Sequence, residues 1–131
     1  MRKTSIPLAS LVLLAGCAAP AAGGSSLADS RWRFTAIDGA APVADDAHLE
    51  FHADRLGARV GCNGMGGAWR IDGGRLIAGP LISTQMYCEG RMEQERAVSA
   101  LLSGGPTLSV AGDRMTLKST AHSAELIRAP N

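Results

Sequence analysis

The sequence has few aromatic residues, almost no net charge and no long apolar run. Phe, Trp and Tyr make up 4% of its 131 residues, and 13 Lys and Arg stand against 12 Asp and Glu. A basic patch or stripe is the usual mark of a nucleic-acid-binding protein, and this charge balance predicts no nucleic-acid partner. A membrane-spanning helix needs about 20 consecutive apolar residues, and the sequence has no such stretch.

The local motifs of common enzyme classes are also missing. The sequence contains no Gly-x-Gly-x-x-Gly fingerprint, no P-loop, no nucleophile elbow and no cysteine-protease signature. The glycine-rich segment 61–67 leads into a strand around Trp69, so the helix N-terminus that would hold a phosphate is not expected there. We therefore expect a non-enzymatic protein without a cofactor.

The N-terminus has the organisation of a bacterial export signal. Arg2 and Lys3 precede an apolar stretch, 6–14, with the length of a signal-peptide core. The Leu-Ala-Gly-Cys that ends at Cys17 resembles the lipobox of bacterial lipoproteins, in which the chain is cut before Cys and the new N-terminus is acylated. The resemblance implies a signal peptide at 1–16 and lipid on Cys17. The alternative is an ordinary secretory signal with a chance cysteine.

A lipidated Cys17 would fix both the membrane attachment and the compartment. Two or more acyl chains give stable anchoring, and Ala18 in place of Asp implies export to the outer membrane in lipoprotein sorting of the Gram-negative type. Residues 17–28 are small and have the composition of a flexible tether. Residues 29–131 then form one domain, which we expect to be monomeric and to face the periplasm. Loss of 1–16 leaves 11 basic and 12 acidic residues, a formal charge of −1.

Alternating apolar and polar residues predict a mainly β protein of the α+β class. The alternation begins in a segment whose inward residues are Trp32, Phe34 and Ala36. Asn63-Gly64, extended by Gly66-Gly67, is a strong turn signal that favours antiparallel pairing. Residues 91–103 lack Gly and Pro, and their apolar i, i+4 pairs predict the one helix. About seven or eight short strands and this helix predict a small antiparallel β-barrel or roll, since closure hides strand edges.

Two segments carry a resemblance to a known family. The first is glycine-rich around a Cys-Asn pair, and the second alternates towards a later Cys; their motif residues are Gly61, Cys62, Asn63, Gly67, Thr84, Met86 and Cys88. A helix with Glu95 and Leu101 follows. This order and spacing resemble the META domain of HslJ-like bacterial lipoproteins, over essentially all of residues 30–128. The chain departs from the family pattern at Gly64 and Gly66, where bulkier or polar residues are common.

Cys62 and Cys88, 26 positions apart, each fall in one motif segment. An exported domain with two remaining cysteines is expected to pair them, which would stabilise the fold by roughly 3–4 kcal/mol in the chain-entropy account. Two free buried thiols, or a reactive or metal-binding pair, are the alternatives. Asn63 suits a tight turn in which its amide bonds its own backbone. Thr84 and Met86 are expected to pack around the crosslink.

His48, Glu50 and His52 alternate along one strand and form a weak candidate metal site, because side chains two residues apart share a face. Leu49 and Phe51 would occupy the core face, so a solvated polar surface is the simpler interpretation.

The family resemblance implies a role in envelope integrity or stress tolerance. The partners would be the membrane, through lipid on Cys17, and an envelope protein or other envelope component. A small-molecule or metal-binding periplasmic module is the second hypothesis. A cysteine-dependent enzyme, which needs a free thiol, is the third.

Overall fold

The alternating segments become antiparallel strands in the computed structural model, which describes residues 27–130. Within these residues nine strands and one helix follow one another along the chain. Their bounds are β1 Ser30–Ile37, β2 His48–Phe51, β3 Arg55–Arg59, β4 Gly64–Asp72, β5 Arg75–Ala78, β6 Ile82–Ser83, α1 Met92–Ser103, β7 Thr107–Ala111, β8 Arg114–Lys118 and β9 Ser123–Ala129.

Eight of these strands close into a barrel. The strands pair in the order β3-β2-β1-β9-β8-β7-β5-β4, and a further pairing of β3 with β4 completes the ring. The ninth strand, β6, continues the line of β5 along β4: Ala78 lies opposite Trp69, and Ile82 lies opposite Gly66. All the pairings are antiparallel, as the turn signals predict, and the predicted small barrel with one helix is confirmed.

The barrel interior is filled by the inward residues of the strands and by one face of α1. Trp32, Leu49, Phe51 and Leu76 are completely buried, which matches the predicted alternation. The helix packs against β1 and β5, and its buried apolar residues are Ala97, Val98, Leu101 and Leu102. These are the i, i+4 pairs that identify the helix in the sequence, because residues four apart lie on the same helical face.

The prediction for two segments is corrected by the structure. A β-bulge lies between Phe34 and Ala36, so Ile37 rather than Ala36 takes the next fully buried position. A bulge adds one residue to a strand and moves the following side chains to the other face. The glycine-rich segment 64–67 is not a turn but the first half of β4, where it pairs with β3.

The N-terminal residues of the described chain belong to the barrel. Leu27, placed in the tether by the sequence interpretation, is buried in the core. The Ser30 hydroxyl donates to the Leu27 carbonyl and accepts a hydrogen bond of 2.9 Å from Trp32 Nε1. The domain therefore begins at or before Leu27. Cys17 and the leader lie outside the described residues. In the range 27–130, no helix combines the length and apolar character needed to cross a membrane.

Asp38, directly after β1, forms a turn with Gly39. Its φ of 51° is left-handed, a conformation that Asp adopts more easily than most residues. His122 donates from Nδ1 to Asp38 Oδ2 at 2.8 Å, and the Ser123 backbone N–H donates to Oδ1 at 2.9 Å. The hydrogen bond from His122 is the main cause that lowers the pKa of Asp38 below its ordinary value of 3.8.

Candidate functional site

The two family-motif segments meet beside the start of α1. Cys62 and Cys88 form a disulfide with an S–S distance of 2.02 Å and a Cα–Cα distance of 5.7 Å. The bond joins the β3–β4 connection to the segment that leads into the helix. The predicted pairing of the two cysteines is thus present, and neither of them is a free thiol.

Asn63 is the centre of a buried hydrogen-bond network beside this disulfide. Its side-chain Nδ2 donates to the Met86 carbonyl at 2.9 Å and to Glu95 Oε2 at 2.8 Å. Its Oδ1 accepts from Thr84 Oγ1 at 2.9 Å and from the Met86 backbone N–H at 2.7 Å. An amide has two donor hydrogens and two acceptor lone pairs, so the hydrogen-bonding capacity of the Asn63 side chain is completely used.

Glu95 brings the helix into the same network. Its other carboxyl oxygen, Oε1, accepts from the Asn63 backbone N–H, and the residue is only 6% exposed. We call the set Gly61, Cys62, Asn63, Thr84, Met86, Cys88 and Glu95 the motif cluster. Within residues 27–130, no buried side-chain nitrogen or oxygen is left without a partner. The motif cluster therefore holds together the β3–β4 connection, the segment that leads into the helix, and α1 itself.

Two expectations about this cluster are wrong. Asn63 does not bond its own backbone in a left-handed turn, because Thr84, Met86 and Glu95 offer hydrogen-bond partners 21 to 32 positions away. Met86 contributes its backbone N–H and carbonyl, while its side chain stays 56% exposed instead of packing around the crosslink. The only signal in the sequence for the main partner of Asn63 is the family pattern that includes Glu95.

Two motif glycines lie in closely packed places. A Cβ at Gly67 would lie 2.7 Å from the Pro80 carbonyl oxygen, and a Cβ at Gly61 would lie 3.0 Å from Arg91 Cβ. Arg91 also donates from Nη1 to the Gly61 carbonyl at 3.1 Å. Gly66, outside the motif, is equally restricted, since its Cβ would meet the Leu56 carbonyl oxygen at 2.9 Å. At Gly66 and Gly67 a side chain would push the neighbouring backbone away, whereas at Gly61 Arg91 would have to move by a few tenths of an ångström.

The candidate metal ligands do lie together on the outer face of β2. His48 Nε2 is 3.4 Å from Glu50 Oε1, and His52 Nε2 is 3.5 Å from Glu50 Oε2. Arg31 Nη1 also contacts Glu50 Oε1 at 3.2 Å, so a cation already occupies this carboxylate. His48 Nδ1 is held 2.7 Å from the Asp46 carbonyl oxygen. Across the part of the chain that the structure describes, no group of three or more His, Cys, Asp or Glu side chains is arranged to hold a metal.

Next to these residues lies a surface groove that the sequence interpretation missed. It has a volume of about 470 Å³ and runs over β3, β4 and β6, and His48 and Glu50 line it from β2. Gly57, Gly64 and Gly66 lie along its floor, and Ile82, 74% exposed, lies on the β6 side. A Cβ at Gly64 would meet nothing within 4 Å, and one at Gly57 would make only an ordinary contact. Packing therefore does not require glycine at these two positions, unlike at Gly66.

Arginines surround this groove and continue across the neighbouring strands. Arg55 and Arg59 line it from β3, and the cross-strand register places Arg33 beside His48 and His48 beside Arg59. We call Arg31, Arg33, Arg55 and Arg59 the arginine face. Arg31 is paired with Glu50. The other three have no ion pair and no side-chain hydrogen bond within residues 27–130.

The fold places the chain in the class of closed antiparallel β-barrels with a single helix packed on the strands. The model of the META domain family matches residues 25–131, and the chain belongs to this family. The recognition from Cys62, Asn63 and Cys88 is thereby confirmed.

Two solved structures have the same fold. One is the NMR structure of a protein from Burkholderia xenovorans, with 23% identity, 96% of this chain and 100% of that chain covered, and a TM-score of 0.68. The other, also an NMR structure, has 18% identity, 79% and 92% coverage, and a TM-score of 0.69. At these identities the similarity shows a shared fold and nothing more. A search of curated proteins gives no match.

Proposed function

We propose that this protein is a lipid-anchored envelope protein whose META domain acts by binding and not by catalysis. In this proposal Cys17 carries the lipid, the outer membrane holds the anchor, and the barrel stands in the periplasm. The domain would contribute to envelope integrity or stress tolerance by contact with an envelope component.

The observation that carries a non-catalytic role is the motif cluster. A catalytic nucleophile needs an adjacent base and a site for the reacting atom, but Cys62 and Cys88 are bonded to each other. The Asn63 amide uses all its hydrogen-bonding groups inside the protein. The residues by which the family is recognised thus have a structural task, which leaves the outer surface of the barrel for function.

The proposed envelope location has two supports. One is the lipobox-like sequence before Cys17. The other is the disulfide, since such bonds persist in oxidising compartments, including the bacterial periplasm, and are rare in the cytosol.

The anchor is tested by expressing the full chain in a Gram-negative host with Cys17 or with Cys17→Ser. We expect the parent to carry acyl chains on Cys17 by mass spectrometry and to fractionate with the outer membrane. The variant should lack the lipid and remain unprocessed at that site. A parent protein without lipid, or a Cys17→Ser variant that still carries it, would contradict the anchor.

The non-catalytic role has its own test, because a cysteine-dependent enzyme requires a free thiol. Unreduced protein is alkylated, and its intact mass is measured. We expect no label on Cys62 or Cys88, and labelling of both after reduction. A label on either residue of the unreduced protein would contradict the proposal.

A further inference from the structure

The arginine face has a net positive charge, whereas the chain as a whole is nearly neutral. Four arginines stand against Glu50 and against Asp29, which lines a surface pocket with Arg31 and Glu50, so this face has a formal charge of +2 with neutral histidines. The chain from Cys17 onwards carries −1, and the residues outside this face therefore carry a net charge of −3. Such an asymmetry favours one orientation of the barrel towards an anionic surface.

The arginines are spread over the sheet and do not converge on one point. Arg55 and Arg59 lie four residues apart on β3, which corresponds to about 13 Å along an extended strand. Arg33 and Arg59 lie two strands apart through His48, or about 10 Å across the sheet. This spacing fits an array of separate anionic groups better than a single small anion.

The groove floor gives such groups room between the arginines. Gly57 lies between Arg55 and Arg59 on the outer side of β3, and Gly64 lies opposite Arg59. Neither position is kept free of a side chain by packing. Glycine within a strand weakens the strand and often marks a place where a ligand approaches the backbone. An anionic group can therefore reach the guanidinium groups of Arg55 and Arg59 across the glycines. The carboxylate that lines the groove opposite Gly57, Glu50, is paired with Arg31.

We propose that the arginine face docks on the anionic phospholipid headgroups of the membrane that holds Cys17. Docking at this face rests on the proposed lipid anchor in one respect: ten steps of chain separate Cys17 from Leu27, and an extended chain of this length spans at most about 36 Å. Arg31 follows only four positions after Leu27. The anchor keeps the arginine face close to the headgroups, so even weak attraction acts at a high effective concentration.

The test uses the chain 17–131 with Cys17→Ser, so that binding by the face is measured without a lipid anchor. Sedimentation with vesicles of phosphatidylglycerol and phosphatidylcholine at equal amounts is compared with pure phosphatidylcholine vesicles. We expect binding only to the anionic vesicles, with a marked loss at high salt because the charges are screened.

Two triple variants with equal net charge decide whether the arginine face is responsible. Arg33→Gln/Arg55→Gln/Arg59→Gln should weaken binding by about 100-fold, from about fivefold for each basic residue near an anionic surface. The control Arg75→Gln/Arg96→Gln/Lys118→Gln changes three exposed basic residues on β5, α1 and β8 and should retain most of the binding. The arginine-face variant should unfold within about 0.5 kcal/mol of the parent, as exposed substitutions usually do. The control should stay within about 1 kcal/mol, because Arg75 also donates to the Gly105 carbonyl.

Three results would overturn the proposal. One is equal binding to both vesicle types, and another is an equal loss in the two triple variants, which would indicate net charge alone. The third is binding of a poly-glutamate peptide or of free glycerol phosphate without binding to anionic vesicles. The protein used in the vesicle test carries no lipid. A lack of vesicle binding would therefore contradict docking without bearing on the acylation of Cys17, and a lack of acylation would not change the vesicle result.

Discussion

The motif cluster and the arginine face differ in how their polar groups are satisfied. In the motif cluster, Asn63 and Glu95 are buried, and each side-chain oxygen and the amide nitrogen has a partner. On the arginine face, Arg33, Arg55 and Arg59 are exposed, and no group in the described residues pairs with them. Buried polar groups are costly without partners, while exposed charges are solvated and need none.

The comparison separates the residues that identify the family from the residues that are free to act. Cys62, Asn63 and Cys88, which carry the family resemblance, are held by a disulfide and by buried hydrogen bonds. Gly57 and Gly64, by contrast, are not required by packing, and their effect is to leave a surface open. Family membership therefore defines the scaffold, and the surface chemistry of this chain must be read from its own side chains.

The largest effect is expected from Asn63→Ala. The change leaves the buried Glu95 carboxyl without its side-chain partner and the Met86 backbone groups without theirs, at a cost of about 3–5 kcal/mol. Urea denaturation measures the free energy of unfolding. As the matched variant, Thr84→Val removes only one of the four hydrogen bonds and should cost about 1 kcal/mol. Equal losses in the two variants would show that Asn63 is not the centre of the cluster.

A similar but slightly smaller loss is expected when the disulfide is removed. Cys62→Ala/Cys88→Ala opens a loop closed across 26 positions and should lower the free energy of unfolding by roughly 3–4 kcal/mol. Cys17→Ser alone should leave the stability of the barrel unchanged, since Cys17 is not part of the pair. A loss below about 1 kcal/mol for the double variant would mean that the Asn63 network holds the segments without the crosslink.

Substitutions at Gly67 and Gly57 should change the free energy of unfolding in opposite directions. Gly67→Ala places a Cβ against the Pro80 carbonyl and should destabilise the barrel by about 1–3 kcal/mol. Gly57→Thr places a Cβ in ordinary contact with the Met65 carbonyl oxygen and should stabilise the barrel by about 0.5–1 kcal/mol, because Thr favours strands and restricts the unfolded chain. Thermal and urea unfolding measure both. A destabilised Gly57→Thr variant would show that glycine is needed there for the fold.

The smallest effect concerns Asp38, an exposed residue that belongs to neither region. Its folded pKa is lowered, first by the hydrogen bond from His122, so it stabilises the fold above the unfolded pKa of about 3.9. This contribution is lost as the pH falls through the lower folded pKa. The free energy of unfolding, measured between pH 2 and 6, should therefore fall more steeply at acid pH for the parent than for Asp38→Asn. Identical pH profiles would mean that the pair with His122 does not form in solution.

Much of the barrel follows from the local sequence. The period-two pattern identifies Leu49, Phe51, Leu56 and Ala58 as inward residues, and all four are buried. The helix is marked by its own spacing, with Gly104 at its end. These features are predictable because alternation and helical periodicity record which side of each element faces the core.

The predictions from sequence are wrong where a partner distant in sequence decides the conformation. Asn63-Gly64 has the local signature of a turn, yet β3 pairs with Gly64 and the residues after it, and Glu95 takes the Asn63 amide. The bulge after Phe34 likewise depends on the register with β9. Local preference is weak beside a full set of buried hydrogen bonds.

The class of fold, the family and the candidate cysteine pair follow from the amino-acid sequence alone, because periodic burial and two cysteine motifs can be recognised along the chain. The buried network of Asn63 and Glu95 and the clustering of four arginines on one face are seen only in the folded barrel. The near balance of 13 basic and 12 acidic residues carries no sign of that face. The net charge can be counted from a sequence, but the clustering of the arginines depends on β1, β2 and β3 lying side by side in the fold.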